Sequence, residues 1–153
     1  MIVYILVKEI NKKMKGGNNL CKLGDIIVVR NYIGEGGNNV NQHSFVVVSD
    51  EGGTISGLDY TMVAATISSF KNKEHRNKKL KYEENMELPI NSKENSNWNK
   101  EGYIKADQAY YFNKNKLDYY VFASLKKEYL DELLKLILKL AKEEKLKIIT
   151  DNL

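Results

Sequence analysis

Cysteine is almost missing from this chain. Cys21 stands alone, so no internal disulfide staples the fold, and one thiol is too few for a cysteine zinc site. Histidine is nearly as scarce, with only His43 and His75. Asp25, Asp50, Asp59, Asp107 and Asp118 are scattered, and nothing in their spacing proposes a magnesium site. Neither a metal nor a cofactor is expected. The one glycine-rich stretch, GEGGNN at 34–39, lacks the Gly-Lys-Ser/Thr ending of a phosphate-cradling loop. Long apolar runs are missing too. No segment reaches the roughly 18 residues needed to span a bilayer. The opening MIVYILV precedes the charges instead of following them, the wrong order for a signal peptide. The expectation is a soluble protein of a reducing compartment, the cytoplasm, with no membrane partner.

What is present suits one compact domain. The chain has 153 residues, 42% of them hydrophobic, enough to bury a sizeable core. Net charge is +4, from 24 basic and 20 acidic residues, a mild bias that argues for little by itself. Its distribution is more informative. KNKEHRNKKLK at 71–81 holds Lys71, Lys73, Arg76, Lys78, Lys79 and Lys81 against Glu74 alone. Such a run is either a solvated loop or helix face, or a track for a phosphate backbone.

GGNN at 16–19 breaks the chain after an apolar-then-basic piece that reads as helix or strand. IIVVRNY after Gly24-Asp25, SFVVVS at 44–49 and YTMVAATI at 60–67 read as strands, with a flexible loop at 34–39 and a turn at 51–53. Residues 83–101 are polar, hold the sole proline, Pro89, and read as a long surface excursion. GYIKADQAYYF and LDYYVFA predict two more strands, joined as a hairpin across Asn113 to Lys116. Leu130, Leu133, Leu134, Ile137 and Leu140 then repeat at i, i+3, i+4, i+7, which predicts an amphipathic helix with Ser124 as its N-cap. The class is α+β: a small antiparallel barrel with a long C-terminal helix, in one domain over 1–153.

Two places carry candidate chemistry. A polar loop ends in His43 directly before a buried strand, at the rim of a sheet, where an imidazole can give or take a proton near neutral pH. TISSFK at 66–71 ends a strand in Ser68 and Ser69 with Lys71 two residues on. Small hydroxyls donate to a phosphate without bulk, and a lysine offsets the charge that builds in phosphoryl transfer. The alternative is a strand end whose serine caps a basic helix. RNA offers a reaction that needs no metal, because its 2′-OH can attack the adjacent phosphate. Acid–base catalysis contributes on the order of 10²–10⁴-fold. Ten tyrosines, Trp98 and four phenylalanines offer stacking surfaces for bases, although most belong to the core.

These residues form a recognisable order. GDIIVV, a polar loop, SFVVVS and VAATISS resemble the MazF/Kid/PemK toxins, in which Ser68 falls on the catalytic threonine. His43-Ser44 stands where that family has Arg-Pro, so the resemblance gives His43 the arginine's role. HSFVVVSDEGG, GLDY, SSFKNKEHRNKKLKY, GYIKADQAYYF and IITDNL resemble the CptN toxins of type III toxin–antitoxin systems, in order from about Gly24 to Leu153. The related ToxN toxins have Thr-Ser-x-Lys where this chain has Ser68-Ser69-Phe70-Lys71.

The resemblance implies an SH3-like barrel and a metal-independent endoribonuclease that leaves 2′,3′-cyclic phosphate and 5′-hydroxyl ends. Its substrates would be mRNA and the precursor of its own repeat RNA antitoxin. That antitoxin, folded as pseudoknots, would inhibit it in a closed protein–RNA assembly. On this reading His43 is the acid–base group, and Ser68, Ser69 and Lys71 hold the scissile phosphate. Asn39 and Asn41 orient the 2′-OH or a base, while Lys73, Arg76, Lys78, Lys79 and Lys81 follow the RNA backbone. A non-catalytic RNA-binding module and a CcdB-like toxin acting on a protein are the alternatives.

Overall fold

The computed structural model describes residues 21–94 and 100–153. The N-terminal piece read as helix or strand lies outside them, and so does Trp98. The β-branched runs form the centre of a sheet: β1 (Asp25–Ile33), β2 (Asn39–Ser49) and β5 (Met62–Ser69), each antiparallel to the next. Around them lie β6 (Asn85–Leu88), β7 (Lys93–Glu94), β8 (Gly102–Lys105), β9 (Gln108–Phe112), β10 (Asp118–Leu125) and β11 (Lys147–Ile149). Among the described residues these nine strands make one sheet in the order β11-β9-β5-β2-β1-β10-β7, with β8 beside β5 and β6 beside β8. Every ladder is antiparallel except β11 on β9. The fold is therefore α+β, a curled antiparallel half-barrel with a short helix α1 (Lys73–Lys79) and a C-terminal helix α2 (Lys127–Lys142).

The period-2 alternation of the strands sends side chains to two separate cores. One face carries Ile26, Val46, Val63, Ala65, Ile67 and Ile104, and is covered by Leu133, Leu134, Ile137 and Leu140 of α2. The opposite face is aromatic. Phe45 meets Tyr32, Tyr110 and Phe112 edge-on at 5.2, 5.1 and 5.3 Å. One residue breaks the alternation in β1. Asn31 adopts φ 52°, so Tyr32 follows Val29 into the same aromatic cluster. Asparagine tolerates this left-handed conformation better than most residues.

Several expectations are corrected. The polar loop is shorter than its composition suggests, because β2 begins at Asn39; Asn39, Asn41 and His43 all lie on a strand. Pairing with β1 draws this stretch into the ladder, which polar side chains alone do not forbid. The turn at 51–53 opens into a small hairpin of β3 (Gly53–Ile55) and β4 (Leu58–Tyr60). Ser56 and Gly57 both have positive φ in its turn, as a tight two-residue hairpin requires. The excursion at 83–101 holds two strands in its described part. Met86 and Leu88 point inward between half-exposed polar neighbours, and Ser92 and Lys93 are buried. The hairpin across Asn113 to Lys116 does not form: β9 pairs with β5 and β11, while β10 crosses over to β1 and β7. GYIKADQAYYF is split by a turn at Ala106-Asp107 into β8 and β9. Ser124 is not a cap; its hydroxyl donates to Asp25 Oδ1 at 3.2 Å within β10, and α2 starts after Lys126 with no side-chain cap.

Candidate active site

Three side chains from three strands meet at the end of the aromatic face. His43 lies two residues before Phe45 and shares its side of β2, with its ring edge-on to Phe45 at 6.2 Å. The β2–β5 register, Ser44 to Ile67, puts His43 across from Ser68. His43 Nε2 and Ser68 Oγ are 3.5 Å apart, the outer limit of a hydrogen bond, and the tautomer decides which donates. On the far side of Ser68, β8 pairs Tyr103 with it, and Lys105 follows two residues later on the same face. Gly102 makes this approach possible, since a Cβ there would lie 2.5 Å from the Ser68 carbonyl oxygen. Burial, and then the Lys105 charge, push the His43 pKa below its ordinary 6.5. At neutral pH the imidazole is therefore uncharged and able to accept a proton.

Ser69, the next residue, is exposed and faces away from Ser68. It lines a 510 Å³ hollow with Phe70, Asn72, Lys73, Arg76 and Glu101. Phe70 stacks on Tyr103 at 5.1 Å with the rings 22° apart, which ties the end of β5 to β8. The helix that follows is capped by an asparagine and not by a serine. Asn72 Oδ1 accepts from the His75 backbone N–H at 2.8 Å and starts α1. Lys71 sits in the turn between Ser69 and this cap, and its backbone N–H donates to His75 Nδ1 at 3.1 Å. Partial desolvation, then the charges of Lys79, Lys71 and Lys78, lower the His75 pKa. The structure thus brings His43 and Ser68 together with Lys105. It puts Ser69, Lys73 and Arg76 in an adjacent hollow, with Lys71 in the turn that follows Ser69.

The basic run divides in two. Lys73, Lys78 and Lys81 border an open 610 Å³ hollow with Glu74 and Asn77. Arg76 instead is engaged in ion pairs at the surface. Its guanidinium holds both Glu87 oxygens, at 2.6 and 3.0 Å, and lies 3.6 Å from Glu101. The Lys79 carbonyl accepts from the Asn85 side chain at 2.9 Å at the end of α1. No residue of α1 is buried, so its lysines stay in contact with solvent. Asn39 and Asn41 are exposed on the outer end of β2.

Lys105, His75 and Tyr103 escaped sequence reasoning. The alternation of GYIK gave a signal for Lys105, but only the pairing of β8 with β5 shows which residue it faces. Among the described residues no three His, Cys, Asp or Glu side chains gather as metal ligands. Among the same residues no helix is long and apolar enough to cross a membrane. No family model, no curated protein and no solved structure matches the chain.

Proposed function

We propose that this chain is an endoribonuclease that cuts RNA by attack of the 2′-OH, acting as a cytoplasmic toxin held in check by an antitoxin RNA. The observation that carries the reading is the His43–Ser68 pair at 3.5 Å, with His43 kept neutral beside Lys105. His43 takes the 2′-OH proton as the 2′-oxygen bonds to phosphorus. The P–O5′ bond breaks, and the departing 5′-oxygen takes a proton from solvent, leaving a 2′,3′-cyclic phosphate and a 5′-hydroxyl. The Ser68 hydroxyl and Lys105 ammonium stabilise the charge on the pentacoordinate phosphate, where fixed donors act most strongly. Catalytic hydrogen bonds in the free enzyme are often long and tighten around the substrate, so 3.5 Å suits the resting pair. Ser69 and Lys71, at the end of β5 and in the turn beyond it, are assigned to the flanking phosphate. Lys73, Lys78, Lys79 and Lys81 form the solvated cationic face along which the strand runs. The likeness of HSFVVVSDEGG and SSFK to CptN sequences supplies the biological setting: mRNA and a repeat RNA precursor as substrates, and the processed RNA as inhibitor.

The test is incubation of the purified protein with total RNA, with and without excess EDTA, followed by end analysis. Cleavage in both, with cyclic phosphate and 5′-hydroxyl ends, is the expected result. Ends bearing 5′-phosphates would point to an activated water and overturn the mechanism. Binding without cleavage would make the chain an RNA-binding module.

A further inference from the structure

Another recess opens beside His43 on the aromatic face. It is a hollow of 220 Å³ walled by Tyr32, Val40, Thr66, Lys105, Gln108 and Tyr110, with His43 on its border. It exists because the ladder parts on one side of β5. β5 pairs Ile67 with Ile104 and Ala64 with Tyr110, so the turn at Ala106-Asp107 leaves Thr66 with Phe45 opposite it on β2 but no register partner on the β8/β9 side. Thr66 is only 4% exposed, and among the described residues its hydroxyl has no hydrogen-bond partner. A buried unpaired hydroxyl costs stability, and natural folds seldom keep one without a use for it.

The walls are fixed in place. The Glu35 backbone N–H donates to the Tyr110 hydroxyl at 3.0 Å, and Gln108 Nε2 donates to Glu35 Oε2 at 2.7 Å. Lys147 holds the other Glu35 oxygen at 3.2 Å, and the Asn152 side chain brackets Ile33 N–H and C=O at 2.7 and 2.9 Å. The recess is thus built by the loop after β1 and the C-terminal end of the chain together. Its volume lies below the roughly 300–1,000 Å³ of sites for drug-sized ligands, so it takes one small ring system and not a whole nucleotide. Tyr32 and Tyr110, edge-on to each other at 6.0 Å, give it aromatic walls. Glu35 also lines it, so a phosphate inside would face a carboxylate.

We propose that this recess is a nucleobase pocket, in which the Thr66 hydroxyl reads the edge of the base adjacent to the phosphate held at His43 and Ser68. The proposal rests on the RNA-cleavage reading, because it places the base one sugar away from the scissile bond. A base fits the recess chemically: it is flat, uncharged and rimmed with hydrogen-bonding groups, and a hydroxyl can donate or accept. The pocket accordingly selects the base at one position next to the cut.

Two arms separate this proposal from the reading beneath it. In the first, adenosine, guanosine, cytidine and uridine are titrated into the whole protein and followed by NMR. One nucleoside is expected to move the Tyr32, Thr66 and Tyr110 signals and to bind more tightly than the others. Thr66→Val keeps the size and drops the hydroxyl, so it should melt no lower than the wild type. It should weaken the preferred nucleoside about tenfold, the loss of about one hydrogen bond. Thr66→Ser should keep the preference and guards against a folding defect in the valine variant. In the second arm, cut positions are mapped on a random-sequence RNA. A base fixed beside the cut in the wild type should become relaxed in Thr66→Val. If the wild type cuts with a fixed base and Thr66→Val cuts with the same one, the pocket is refuted while the ribonuclease reading stands. If a nucleoside binds selectively but no RNA is cut, the pocket stands and the ribonuclease reading falls. If no nucleoside moves those signals, the pocket is refuted.

Discussion

Replacing His43 with asparagine should remove the chemistry and leave the fold. The loss in rate follows from its role. Acid–base catalysis is worth on the order of 10²–10⁴-fold, or about 2.7–5.4 kcal/mol of barrier at 1.36 kcal/mol per tenfold. The loss in stability follows from its contacts, which are few. The imidazole is half-buried, meets Phe45 by one edge-on contact at 6.2 Å and reaches Ser68 at 3.5 Å. An aromatic edge contact is worth about 0.5–1.5 kcal/mol and a long hydrogen bond about 0.5 kcal/mol. The total stays near 2 kcal/mol at most, a fall in melting temperature of about 4–8 °C for a domain of this size. The assay is the initial rate of cleavage of a fluorophore–quencher RNA from pH 5 to 9, beside a thermal melt of each variant. In the wild type, kcat/KM should rise with pH through a His43 pKa below 6.5 and then level, since the neutral form is the base. Lys105→Met takes away one of the two causes that lower this pKa, so the acidic limb should move to higher pH. A His43→Asn enzyme within tenfold of the wild-type rate would refute the role of His43. A limb that stays in place in Lys105→Met would refute the coupling between the two.

The same shift makes stability depend on pH. With the folded pKa of His43 below the ordinary 6.5, the unfolded chain binds the proton first, so stability should fall as pH drops below 6.5 towards the folded value. His43→Asn should flatten that part of a melting-temperature profile. Neutralising Lys78, Lys79 and Lys81 together should weaken RNA binding and reduce its salt slope by about 0.7 for each phosphate that is no longer neutralised, measured at several salt concentrations. The cut position should not move, since phosphate contacts fix register and not sequence. Arg76→Met should behave oppositely. Its guanidinium is tied to Glu87 and Glu101 at the surface, so the variant should lose about 1 kcal/mol of stability in denaturant titration and leave the salt slope nearly unchanged.

IIVVRNY and SFVVVS announced β1 and β2 because the buried stretch of a strand favours β-branched and apolar residues, and that preference is local. The leucine pattern of 130–140 announced α2 for the same kind of reason: one face must cover a sheet. Errors came where pairing overrode composition. Asn39 to His43 look like a loop, but β1 lies alongside and pairs with this stretch. Asn85 to Leu88 look exposed, but β8 pairs with them and turns Met86 and Leu88 inward. Ser124 looks like a cap, but Asp25 takes its hydroxyl, 99 residues away in the chain.

By itself, then, the sequence determined the class of the fold, the buried β1, β2 and β5 runs, the helix that covers them, and the positions of the one histidine and the serine pair worth testing. Those follow from residue type and periodicity, which act between neighbours along the chain. Only the tertiary structure decided what those residues face. It set Ser68 against His43, turned Ser69 away from them, brought Lys105 to the imidazole and withdrew Arg76 into ion pairs. It also opened the recess at Thr66, through a register jump between strands that no local pattern encodes. The physical reason is that a strand's period of two fixes which side a residue takes, while its partner is fixed by register, and register is a property of two segments at once.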